Sequence, residues 1–413
     1  MTTSTSTAAQ LTLDDLFPAD DLRAAVEAGH VSRRKHPSLP LSIFSYTRAC
    51  QYEGVWTPVT TRCRGLVADD STGRIVGHCL PKFFNLSEHI GGRPYAPPLP
   101  DEPFEVYDKL DGSLGIVFQH SGGWHVASKG SFISEQAQWA QRRLDSSDTG
   151  ALRPGHTYLV EILYPENRIV VDYGARRDLV LLAAYRADGS ELPLDTAAPD
   201  WAGLGSVVRR WPAPPLKELR ELTEGNVLLD GAATSGMDAE GYVVRFASGV
   251  RVKAKTSEYV RLHKVLTGIN ERDVWQAAGL ERFAGREVKA VAQAVGVSPA
   301  EATEKTAGTA AGRGPLAVML EDVPDEFDQW VRRVTADLQA RYDELHGTIG
   351  AAYDDIAGLR GDRAAFARAA QRHTDRTVRA AMFLLLDERP VDLLIWRVIK
   401  PAATDPFKTD EDA

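Results

Sequence analysis

Cysteine is scarce. Cys50, Cys63 and Cys79 are all there are in 413 residues. They lack metal-ligand spacing, and an odd count suits a reducing cytoplasm better than a disulfide scaffold. No apolar run approaches the length of a membrane span, so no membrane partner is expected. The first residues, MTTSTSTAAQ, have neither a basic segment nor an apolar core. They read as an unstructured leader over 1–10 and not as a secretory signal. An excess of positive charge is missing too. The net charge of -9 excludes a protein that coats nucleic acid over its whole surface. It leaves room for a local basic cleft, because binding depends on the patch and not on the sum. No internal repeat is present.

What remains is an ordinary globular balance, 43% hydrophobic and 25% charged, in a chain long enough for two or three domains. Apolar positions at helical spacing (Leu11, Leu13, Leu16, Leu22, Val26) predict a short helical segment near the start. LSIFSYT (41–47) and RCRGLVAD (62–69) have strand composition, and IVGHCLPKFFNLSE (75–88) reads as a strand running into an aromatic-rich segment. RPYAPPLPDEP (93–103) is a loop by composition.

VYDKLDGSLGIVF (106–118) then reads as strand, tight turn, strand, a hairpin with Lys109 at its mouth and GGWHVASKGSF as the next partner strand. His120 and His125 flank that Gly-Gly turn and read as solvent-exposed. SEQAQWAQRRLD (134–145) predicts a helix capped by Ser134. TYLVEILYP, RIVVDYG and LVLLAAYR are three strand-like runs in succession, Leu216–Leu222 is helical, and EGYVVRF with VRVKAKT predicts a hairpin. The expected fold is α+β: a domain of antiparallel sheets with flanking helices over 11–265. After about Val265 the spacing turns helical and amphipathic. This predicts an all-helical C-terminal domain over 266–403 and an acidic tail over 404–413. Trp396, within IWRVIKP, reads as core in preference to a nucleic-acid contact.

Charged residues that interrupt apolar strands carry the chemical signal. Glu161 breaks TYLVEILYP, Glu240 precedes Gly241 and opens YVVRF, and Lys253 and Lys255 lie two apart in VKAK. Strand alternation puts both lysines on one face, where mutual repulsion favours an anion between them. A nucleotide phosphate would serve. The same pair is expected to lower the pKa of Lys109 by like-charge repulsion and so make its amine a nucleophile. K-x-D-G alone arises by chance in roughly one chain in ten of this length. The five charged residues in this order make a solvated strand face an insufficient reading.

That order resembles the covalent nucleotidyltransferases, and in particular the bacteriophage RNA ligase 1 family of tRNA-repair type. The stretches that carry it are IFSY, CRG, KFFNL, KLDGSL, SKGSFISEQA, NRIV, EGYVV and VKAKTSEYVRLH, from about 42 to 263. The resemblance implies that Lys109 takes AMP from ATP as a lysyl-AMP and releases pyrophosphate. It implies that Glu161 holds the ribose, that Glu240 acts near the metal and the α-phosphate, and that Lys253 and Lys255 grip the phosphates. Arg64 would touch phosphate. Tyr46, Lys82, Phe84, Lys129 and Tyr259 would complete the nucleotide pocket, with Gly112 as the turn glycine that lets the nucleotide approach.

Mg²⁺ or Mn²⁺ is implied, held by Glu161 and Glu240, directly or through water. The implied partners are ATP and RNA with 5′-phosphate and 3′-hydroxyl ends, with an end-healing kinase/phosphatase as a possible third. Two other functions stay open: the same chemistry on another acceptor such as nicked duplex, and a non-catalytic RNA- or nucleotide-binding module.

Overall fold

A computed structural model describes residues 10–309, 313–321, 323–402 and 406–407. The leader and the acidic tail therefore lie almost wholly outside the described residues. The chain divides into two compact units, the first ending at Leu262 and the second starting at His263. The division falls within the helix Ser257–Gly268.

The first unit holds three sheets. The first is an antiparallel meander of β1 (Val31–Lys35), β2 (Leu41–Tyr46), β3 (Arg64–Asp69) and β4 (Ile75–Gly77). β5 (Phe84–Asn85) and β6 (Phe104–Lys109) leave it for another sheet. β7 (Ser113–His120), β8 (Gly123–Ser128), β9 (Thr157–Leu163), β10 (Asp178–Tyr185) and β11 (Glu191–Leu192) form the second sheet, in the order β11-β10-β9-β7-β8. With β12 (Arg210–Trp211), β13 (Gly241–Phe246) and β14 (Arg251–Lys255), the two early strands make the third sheet, β12-β6-β13-β14-β5. All its pairs are antiparallel except β14 with β5. The α+β class with antiparallel sheets and flanking helices is what the structure shows.

Alternation places the cores. Leu41, Ile43 and Val67 of the first sheet pack against Ile116, Phe118, Ala127 and Leu159 of the second. The second sheet's opposite face is covered by Ala140 and Leu144 of the helix Glu135–Asp145 and by Trp201. That helix begins as expected, with Ser134 Oγ accepting from the Ala137 amide. Val106, Tyr242, Val244, Val252 and Ala254 form the third sheet's core with Leu219.

Four expectations are corrected. The lysine stretch is no hairpin: β6 and β7 lie in different sheets, and 110–112 carries the chain between them. IVGHCLPKFFNL is not one strand, since β4 ends at Gly77 and the two-residue β5 joins the third sheet. RIVVDYG forms no strand, because the Val170 and Val171 amides donate to the Asp111 carboxylate instead of to a ladder, both at 2.8 Å. His120 and His125 are half-buried, with His125 stacked on Phe118.

The second unit is helical throughout its described secondary structure, from Glu271–Arg282 to Asp392–Val398, around one helix of 30 residues, Asp325–Asp354. Trp396 is buried at 3% exposure, and its carbonyl accepts from the Trp275 indole at 3.0 Å, as a core residue should.

Candidate active site

Register in the third sheet builds the centre. β13 lies between β6 and β14, and Gly241 pairs with Lys109 on one side and Lys255 on the other. Glu240 immediately precedes Gly241, so its carboxylate enters between the two lysines. Its Oε2 accepts from Lys109 Nζ at 2.7 Å and its Oε1 accepts from Lys255 Nζ at 2.7 Å. Glu240 is 2% exposed. Burial works against its charge, but Lys109 and Lys255 outweigh that and hold its pKa down at about 2.

Gly241 has φ +136°, and an added Cβ would collide with the Ala254 carbonyl oxygen and Lys255 Cα. Only glycine lets the chain turn there directly after Glu240.

Lys109 is not activated in the way its neighbours suggested. Burial would depress its pKa, but the carboxylates of Glu240 and Glu161 outweigh it and raise the pKa above the ordinary lysine value. Lys253 takes the repulsion instead. Burial first, then Lys82, Lys109, Lys255 and Arg64, push its pKa well below the ordinary value. Lys253 and Lys255 do share the face opposite buried Val252 and Ala254.

The switch between sheets brings in the other carboxylate. Glu161, on β9, accepts from the Gly112 amide at 3.0 Å. Burial, only partly relieved by Lys109, lifts its pKa from 4.5 to about 7. Gly112 is close-packed for a reason other than the expected one. A Cβ there would lie 2.6 Å from the Ile162 carbonyl oxygen, so it is β9 that approaches the turn.

Asp111, quoted within the motif but given no role, is the clamp. Its carboxylate takes the Val170 and Val171 amides and the Tyr259 hydroxyl at 2.6 Å, and its own amide donates to the Tyr173 hydroxyl. Tyr259 is 2% exposed, and its ring lies 4.9 Å from Lys255 Nζ.

The rim is cationic and aromatic. Lys82 Nζ lies 5.1 Å from the Tyr46 ring, 4.8 Å from Trp56 and 5.8 Å from Phe84. Trp56 was missed because nothing in its local sequence points inward. Burial opposes ionisation of Tyr46, but Lys82, Lys129 and Arg64 outweigh it and lower the phenol's pKa. Lys129 Nζ is 5.8 Å from the same ring. Phe84 is 7% exposed, packed beside Tyr95. Its neighbour Phe83 adjoins the cations, with Lys253 Nζ at 5.0 Å and the Arg64 guanidinium at 5.6 Å.

Two features fit the phosphates of a nucleotide. Arg64 Nη1 is buried without a hydrogen-bond partner, and Lys253 is half-buried among like charges. A protein-only metal cage is absent among the described residues. Both oxygens of Glu240 are already engaged, so a divalent ion fits here only with phosphate oxygens supplying ligands.

Fold and site together define a class: a sheet-built α+β domain that sets a half-buried lysine beside a cluster of cations. Residues 62–259 match the family model described as RNA ligase, the family that the sequence motifs resemble. It is 29% identical over 149 residues to a protein of Autographa californica nuclear polyhedrosis virus, provisionally named a bifunctional polynucleotide kinase/RNA ligase. That match covers 31% of this chain and 22% of the viral protein. A second relative, provisionally named an RNA ligase, from Thermovibrio ammonificans, is 24% identical over 217 residues, covering 51% of this chain and 55% of its own. The chain thus spans about half or less of these relatives. A solved Naegleria gruberi RNA ligase, a mutant with ATP and Mn, is similar at 20% identity and TM-score 0.31 over 40% of this chain and 52% of its own.

Proposed function

We propose that the chain is an ATP-dependent RNA ligase that joins 5′-phosphate and 3′-hydroxyl RNA ends. The observation that supports this most is the convergence of Lys109, Lys255 and Glu240 within 2.7 Å contacts, beside Lys253 and Arg64. In the first step Lys109 Nζ, freed from Glu240 as the phosphates bind, releases its proton to water and attacks the α-phosphorus of ATP. A P–N bond forms, the P–O bond to pyrophosphate breaks, and AMP stays on the lysine. Lys253, Arg64 and Lys82 neutralise the phosphates. Ionised Glu161 accepts from the ribose hydroxyls. Glu240 keeps Lys109 and Lys255 aligned until phosphate binds.

A bound divalent cation supplies charge neutralisation on the phosphate oxygens, and Glu161 and Glu240 are the residues that would hold it or its waters. AMP then passes to the RNA 5′-phosphate, and attack by the 3′-hydroxyl releases it. The name of the viral relative joins a kinase to a ligase. This is in keeping with ends prepared by a kinase/phosphatase activity.

Incubation with α-labelled ATP and Mg²⁺ or Mn²⁺ should label the protein, and Lys109→Ala should remove the label. An unlabelled wild-type protein with both metals defeats the proposal. Parallel sealing assays on single-stranded RNA, nicked duplex and DNA separate the proposed acceptor from its rivals.

A further inference from the structure

We infer that the open cleft between the end of β1, strand β8 and the helix Glu135–Asp145 binds one unpaired base of the RNA strand. The inference rests on the ligase reading, whose substrate contact it extends. The cavity measures about 310 Å³ and is lined by His36, His125, Phe132, Gln141 and Arg142 among others. That volume suits a nucleoside-sized group.

The two imidazoles have fixed and opposite hydrogen-bonding roles. His36 Nδ1 accepts from the Ser38 and Leu39 amides at 3.2 and 3.1 Å, so its proton sits on Nε2. His125 Nε2 lies 3.3 Å from the His120 carbonyl oxygen, which can only accept, so this nitrogen donates and Nδ1 is left as an acceptor. Burial first, then neighbouring histidines, keeps His36 neutral, and burial does the same for His125. The two rings that line the cavity, 6.4 Å apart, thus carry an uncharged donor and an uncharged acceptor between them. The edge of an unpaired nucleobase has that complementarity, and a phosphate or carboxylate does not.

The remaining walls agree. Phe132 offers a ring, held edge-on against His36 at 4.9 Å. Gln141 is pinned by the Val126 amide and the Trp124 carbonyl, so the floor is rigid. Arg142 is exposed at the rim and forms no ion pair among the described residues, so it is placed for the adjoining phosphate. Position ties the cavity to the site. β8 carries His125 and ends at Ser128, directly before Lys129, and Arg34, two residues before His36, donates to the Gly130 carbonyl.

The test is binding of 5′-phosphorylated single-stranded RNA, read by fluorescence anisotropy, with one nucleotide at a time made abasic. For the wild type, one position should weaken binding by about five- to tenfold when its base is removed. His36→Ala and Arg142→Ala should weaken intact RNA about as much, and His36→Ala should show no further loss at that abasic position. Both variants should take AMP label from ATP at the wild-type rate and melt at the wild-type temperature. No sensitive position, or one equally sensitive in His36→Ala, overturns the inference. If the wild type takes no label yet shows the position-specific loss, the ligase reading falls and the pocket stands. If it binds no RNA, the pocket falls.

Discussion

The lysine proposed as nucleophile rests as one half of an ion pair. Lys109 and Lys255 clasp the two oxygens of Glu240, so its role is alignment before the reaction. Replacing Glu240 leaves two ammonium groups together in a nearly closed site, at a cost on the order of 3 kcal/mol. Glu240→Gln should lower the unfolding temperature and abolish AMP labelling. Lys255→Met in the same background should recover part of the stability and none of the labelling. Calorimetry alongside the labelling assay separates the two effects.

Glu161 carries the pH dependence. Its folded pKa of about 7 exceeds the ordinary 4.5. Between those values the folded state binds more protons than the unfolded one, so stability falls as pH rises through the window. Glu161→Gln should therefore raise the melting temperature at pH 8 by about 2–4 °C and change nothing below pH 4.5. The activity runs the other way. Ribose contact needs the carboxylate, so wild-type labelling should drop as pH falls below about 7, and Glu161→Gln should lose that acid limb while labelling weakly throughout. Glu240 acts with the opposite sign on stability. Held at about 2, it stabilises the fold above pH 4.5, and that contribution disappears as pH falls towards 2.

At the scale of elements, the site is made where strands end. Lys109 closes β6, Lys255 closes β14, and Glu240 stands at the head of β13 between them. Two glycines permit the arrangement. Gly241→Ala meets both a positive φ and the neighbouring strand's backbone, whereas Gly112→Ala meets the Ile162 carbonyl at normal backbone angles. Gly241→Ala should cost more, about 3 kcal/mol against about 1–2 for Gly112→Ala, by chemical denaturation.

Much of this was legible because it is local. Alternation alone put Lys253 and Lys255 on one face, and the EGYVVRF and VRVKAKT runs declared their hairpin. The β6–β7 switch between sheets was not legible, because two apolar runs around a Gly turn look alike whether or not they pair. The failure of RIVVDYG as a strand had a related cause. Its apolar composition is matched by burial of Ile169, Val170 and Val171, but a distant carboxylate, Asp111, takes its amides. The pKa of Lys109 was misjudged because the repulsive lysines were visible in one stretch, and the carboxylate contact at 2.7 Å depends on register between three strands.

At the scale of the molecule, every proposed nucleotide contact lies between Tyr46 and Tyr259, within the unit that ends at Leu262. That unit has its own cores: between the first two sheets, under the helix Glu135–Asp145, and behind the third sheet. Trp275, Phe327, Phe366 and Trp396 of the second unit are buried. A chain cut after the helix Ser257–Gly268 should therefore fold and unfold cooperatively, take AMP label on Lys109, and gain thermal stability from pyrophosphate, which relieves the repulsion at Lys253. Calorimetry and labelling of the 1–268 fragment check this. A fragment that folds and gains stability from pyrophosphate but takes no label would place a needed catalytic group beyond Gly268. A fragment that does not fold would show that the first unit's cores are insufficient by themselves.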